Sequence, residues 1–69
     1  MRRETTVRIN LRERATEAEI LHAVRVQVRP WFDAIEAEGL TYSPPVFTLT
    51  PDPVDHWTTH VHVATEVSP

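Results

Sequence analysis

TEAEILHAVRVQVRPWFDAIEAEGL, residues 16–40, admits two readings, and the choice between them sets the fold. Val24-Arg25-Val26-Gln27-Val28 alternates as a half-buried strand does, and Pro30 would end such a strand. One continuous helix accounts for more. At 100° per residue it gathers Ile20, Leu21, Val24, Val28, Trp31, Phe32 and Ile35 within about 120° of one face. His22, Arg25, Arg29, Asp33 and Glu36 fall on the other face, and only Val26 is misplaced. Thr16-Glu17-Ala18-Glu19 has the form of a capping box, in which hydroxyl and carboxylate satisfy each other's backbone N–H. Gly39 stands where a left-handed residue ends a helix, with Leu40 placed to touch Ile35. Both ends fit, so the stretch predicts one helix over 17–38, kinked at Pro30 because its ring presses on the Val26 carbonyl.

Outward from the helix the texture is that of strands. Thr5 to Leu11 alternates Val7, Ile9 and Leu11 inward with Arg8, Asn10 and Arg12 outward. Ser43-Pro44-Pro45 leads into a short strand over 46–50, with Phe47 and Leu49 inward. A loop follows over 51–55, and residues 57–67 alternate again. There Trp57, Thr59, Val61, Val63, Thr65 and Val67 share the inner face, with Thr58, His60, His62, Ala64 and Glu66 outside. The expected fold is α+β in two layers, β-α-β-β, with the long Pro-kinked helix packed across a three-stranded antiparallel sheet. The last strand is expected in the middle.

Sixty-nine residues allow one domain, here the whole of 1–69. A core this small barely offsets the entropy of ordering the chain. With no Cys there is neither a disulfide staple nor a thiolate metal site. Self-association is the expected source of further stability, helped by a first strand that carries no proline to block edge pairing. No apolar run reaches the ~20 residues of a membrane span, and no signal-type apolar stretch follows Met1-Arg2-Arg3. A soluble cytoplasmic protein is expected, with no membrane partner.

The net charge of −3 hides a division. Residues 1–29 hold all seven Arg against four acids, for +3; residues 30–69 hold six acids and no Arg or Lys, for −6. A sequence pI near 5.7 speaks against a nucleic-acid partner. A dipolar chain suits contact with a second copy or with an oppositely charged protein. Seven Arg beside no Lys point to a high-GC source. Together with small size and lack of motifs, they suggest a phage or mobile-element accessory protein that binds a host protein.

Few groups invite chemistry. His60 and His62 lie on one strand face, a spacing that metal sites use, and Asp55 and His56 stand just upstream. A metal asks for at least three converging ligands, and the spacing supplies two, so His60, His62 and His56 remain candidates and no metal is assigned. Ser43 and Ser68 lack the glycine-flanked turn of a nucleophile elbow. A single Gly excludes a phosphate-cradling loop. No catalytic residue and no cofactor are assigned, and the expectation is a non-enzymatic, homo-oligomeric interaction module. Its expected contact surface is Arg8, Asn10, Arg12, His60 and His62, with the two Arg flanking the imidazoles. Trp31 and Trp57 both fall inward; a core too small for both leaves one at a rim, where Trp anchors interfaces.

Trp31-Phe32-Asp33, followed by Ile35, Glu36 and Gly39 and an alternating C-terminal strand, resembles the Trp-Phe-Glu segment of the dodecins. Those are β-α-β-β flavin-storage proteins that assemble into dodecamers. The resemblance covers the second half of the chain, and it implies that Trp31 would stack on the flavin ring. The chain departs from that pattern in lacking the Gly-Thr-Ser turn after the first strand and in carrying extra residues around the prolines. The segment around Trp31 also reads as helix rather than strand.

Overall fold

The computed structural model describes residues 1–11 and 15–69. Its elements run β1 (Arg2–Asn10), α1 (Glu17–Ala37), β2 (Thr41–Tyr42), β3 (Val46–Pro51) and β4 (Thr58–Ser68). Residues 17–37 form the single helix that the periodicity predicts over 17–38. Thr16 Oγ1 accepts from the Glu19 N–H at 3.2 Å, and Glu19 Oε1 accepts from the Thr16 N–H at 3.2 Å, completing the capping box. At the far end Gly39 has φ 78°, its N–H reaches the Glu36 carbonyl at 2.9 Å, and the Leu40 N–H reaches that of Ile35 at 3.4 Å. These are the two bonds of a Schellman motif. Pro30 lies inside the helix, and its missing N–H leaves the Val26 carbonyl without a helical donor. Val26, the one apolar residue off the stripe, is 63% exposed.

β4 is the middle strand and is antiparallel to every strand it pairs with. β1 runs along one side of it, from Arg2 opposite Glu66 to Asn10 opposite Thr58. The other side is shared by β3, Val46 opposite Ala64 to Pro51 opposite Thr59, and by β2, opposite Ser68 and Val67. The sheet is therefore three strands wide, but it holds four strands where the sequence pattern suggests three. The reason is Pro44-Pro45, which have no N–H to donate and break the ladder between β2 and β3; the Ser43 N–H still reaches the Glu66 carbonyl at 2.9 Å.

A helix of this length spans about 32 Å at 1.5 Å per residue, most of the molecule's 41 Å long axis. It buries Val24, Val28 and Ile35. Val24 and Val28 pack with Ile9, Val61 and Val63 in the central cluster, flanked by half-buried Val7, Ile20, Trp31, Phe32, Phe47 and Leu49. Arg3 binds Glu38 with both guanidinium nitrogens, one at 2.8 Å, tying β1 to the end of α1. That cation offsets an acid at a helix C-terminus, where the dipole disfavours it, and it holds the Glu38 carboxyl below its ordinary value. Trp57 is a correction to the inward pattern: it is 47% exposed. β4 starts one residue later, and Trp57 belongs to the preceding turn, its N–H bound to Asp55 Oδ1 at 3.0 Å. No described helix is long and apolar enough to cross a membrane.

Candidate functional site

Two surfaces stand out: the sheet face away from the helix and a groove beside the helix. On the outer face, register places Arg8, His60 and Thr50 in one row and Thr6, His62 and Thr48 in the next. The imidazoles are about 40% exposed (His60 40%, His62 41%). Each has a carboxylate at its Nε2, Asp52 Oδ2 at 2.8 Å from His60 and Glu4 Oε1 at 2.9 Å from His62. The same Glu4 oxygen is 3.1 Å from Arg2 Nη2. Arg8 stands beside His60 as the strand order predicts, and each ring in addition has a carboxylate partner. Arg12 lies outside the described residues.

Asn10, expected as a surface contact, is exposed and also bonds within the protein. Its amide donates to Thr58 Oγ1 at 3.1 Å, and the Thr58 hydroxyl donates to Asp55 Oδ2 at 2.7 Å. Thr58 is 2% exposed although its parity faces outward. Asp52 Oδ1 accepts the N–H groups of Val54 and Asp55, each at 2.9 Å. The loop over 52–57 is thus built on two carboxylates. The backbone N–H of Asp55, then His60, then the Val54 N–H hold the Asp52 carboxyl well below the usual carboxylate range. The Thr58 hydroxyl and the Trp57 N–H lower Asp55 in the same sense.

This network orders a turn. Among the described residues no three His, Asp or Glu side chains converge as a metal set would. No Ser or Thr hydroxyl among them bonds to either imidazole, as a His-activated nucleophile would require. His56 is exposed in the loop.

The groove runs between α1 and the β2–β3 side of the sheet, with a volume of about 570 Å³. The helix lies over β1 and β4 and reaches β2 at its end, leaving Phe47 and Leu49 on the inner face of β3 half-buried. Val28, Phe32, Pro45 and Phe47 form an apolar floor. Arg25, Arg29, Asp33, Glu36 and Tyr42 form the rim. Phe32 packs on Tyr42, ring centroids 4.7 Å apart, and the Tyr42 hydroxyl donates to Glu36 Oε1 at 3.1 Å. That bond and the nearby Glu36 and Asp33 charges raise the Tyr42 pKa. Sequence periodicity sets these helix residues on the solvent face; it does not show that they border a cleft, which depends on how far the helix reaches across the sheet. Trp31, the residue of the flavin resemblance, sits in mid-helix, half-buried and edge-on to Phe32 at 4.8 Å.

No family model matches this chain, and neither the curated proteins nor the solved structures contain a match to it.

Proposed function

We propose that this chain is a small non-enzymatic interaction module that works as a homo-oligomer, with the groove between α1 and β3 as its contact surface in place of the outer face of Arg8, Asn10, Arg12, His60 and His62 that the sequence suggests. The observation that supports the reading is the half-covered inner face. One helix is too narrow to roof a sheet three strands wide, so the third strand presents Phe47 with Phe32 in the groove and leaves Leu49 half-buried. Apolar side chains left at a cleft in a core this thin gain stability from a cover. Its work in the cytoplasm as an accessory protein of a phage or mobile element, engaging a host protein, is a further part of the reading supported by composition alone.

Sedimentation equilibrium on tag-free protein from micromolar to millimolar concentration tests it. The expected mass is at least twice the 7.9 kDa of the chain. Phe47→Gln should weaken the association, and His60→Gln with His62→Gln on the opposite face should leave it intact. A monomer throughout overturns the reading. Two rival readings are met by titrating zinc, for a metal protein on His60 and His62, and flavin mononucleotide, for a flavin store on Trp31. Stoichiometric binding of either at micromolar concentration would replace the module reading.

A further inference from the structure

We infer that the occupant of the groove is a second copy of the chain, its α1 laid antiparallel to the first about a two-fold axis between Pro30 and Trp31. Arg29 of each protomer then faces Asp33 of the other, and Arg25 faces Glu36. The inference rests on the module reading above and adds to it a geometry.

The order of charges along the rim selects this arrangement. Arg25, Arg29, Asp33 and Glu36 all line the groove, and at 100° per residue they fall in a stripe about 80° wide. Along the helix their signs run plus, plus, minus, minus. Arg29 and Asp33 each stand two positions from Trp31; Arg25 stands six before it and Glu36 five after. Reversing the helix therefore lays every cation against an anion. A parallel pair would set like against like, and a partner of a single charge would repel one half of the rim. A pattern complementary to its own reverse is what an isologous two-fold interface requires.

Glu36 accepts from the Tyr42 hydroxyl, while the other three rim charges are exposed. Among the described residues no acid lies within 4 Å of Arg25 or Arg29, and no cation within 4 Å of Asp33. The floor of Val28, Phe32, Pro45 and Phe47 supplies the apolar burial, which the charges alone would not, since exposed ion pairs contribute little. Their part is to set direction and partner choice.

Charge exchange gives the test. Arg29→Glu places two acids together at both symmetry-related contacts, and Asp33→Arg places two cations together. Sedimentation should show each single variant self-associating about tenfold more weakly, or worse. Both changes in one chain restore opposite signs and should recover affinity to within about threefold of the wild type. An equimolar mixture of the two single variants should form the mixed dimer in preference to either homodimer. Circular dichroism checks that each variant is folded, and Arg29→Gln with Asp33→Asn supplies a milder pair should a reversal unfold the chain. If the wild type associates but the single variants match it, or the double variant does not recover, this geometry falls and the module reading stands. If the wild type is monomeric, both fall.

Discussion

His60 Nε2 lies 2.8 Å from Asp52 Oδ2, and this contact fastens the loop after β3 onto the middle strand. Asp52 is the hub, since its other oxygen also caps two backbone N–H groups. Its carboxyl and that of Asp55 titrate below their ordinary values, so the folded state holds these protons less tightly than the unfolded chain. The stability they contribute is complete above the unfolded value of about 3.9 and is lost as pH falls through the lower folded values. Melting temperature should therefore drop below about pH 4. Asp52→Asn keeps an oxygen for the Val54 and Asp55 N–H groups but removes the titration. Its melting temperature should fall less between neutral and acid pH, and parallel curves for the two proteins would refute the assignment.

Pro30 spends a hydrogen bond in the middle of α1. Pro30→Ala returns a donor to the Val26 carbonyl and should raise stability by about 1–3 kcal/mol, part of the gain being cancelled by the more flexible unfolded chain. Urea denaturation at a concentration where the chain is monomeric measures it. A lower midpoint would show that the helix is shaped around the proline.

The two ends of α1 should act independently. Thr16→Ala removes the acceptor for the Glu19 N–H and should cost about 1 kcal/mol. Gly39→Ala forces a side chain into φ 78°, though nothing crowds the added carbon; backbone strain should again cost about 1 kcal/mol. The double variant should lose their sum, because the sites share no partner. Denaturation midpoints that depart from additivity would point to a coupling between the caps.

Thr58→Val is nearly isosteric, so its effect isolates the hydroxyl. The hydroxyl accepts from Asn10 and donates to Asp55, and its loss should cost about 1–3 kcal/mol. Asn10→Ala in the Thr58→Val background should then cost little more, because its partner is already gone. Full additivity would show that the two side chains do not act together.

Much of this fold is legible in the sequence because local chemistry and pattern agree. Thr16 and Glu19 mark the start of α1, Gly39 and Leu40 its end, and seven apolar residues its face. The alternation at 58–67 gives the middle strand and places His60 beside His62. What local patterns miss is set by distant neighbours. Trp57 continues the inward parity of β4, yet the carboxylate of Asp55 draws its N–H into the turn and leaves the ring at the rim. Asp52 and Glu4 reach the two imidazoles from positions 8 and 58 residues away. The groove follows from the width of the sheet against a single helix, and spacing along one chain segment carries no trace of that. Its charged rim was visible as residues but not as a boundary.

The middle position of β4 also governs the order in which the protein comes into being. In the sheet β1 and β3 pair with β4 and not with each other. During synthesis neither has a partner until residues 58–68 emerge, although α1 is capped at both ends and able to form early. The helix therefore waits beside two unpaired strands, and β4, the last of these strands to arrive, closes both ladders together. Native pairings between β1 and β4 join residues such as Arg2 and Glu66 from opposite ends of the sequence, which favours slow, all-or-none folding over stepwise growth. Until then the lone strands must stay clear of other nascent chains, and the charged Arg2, Arg3, Glu4 and Arg8 of β1 offer protection of that kind.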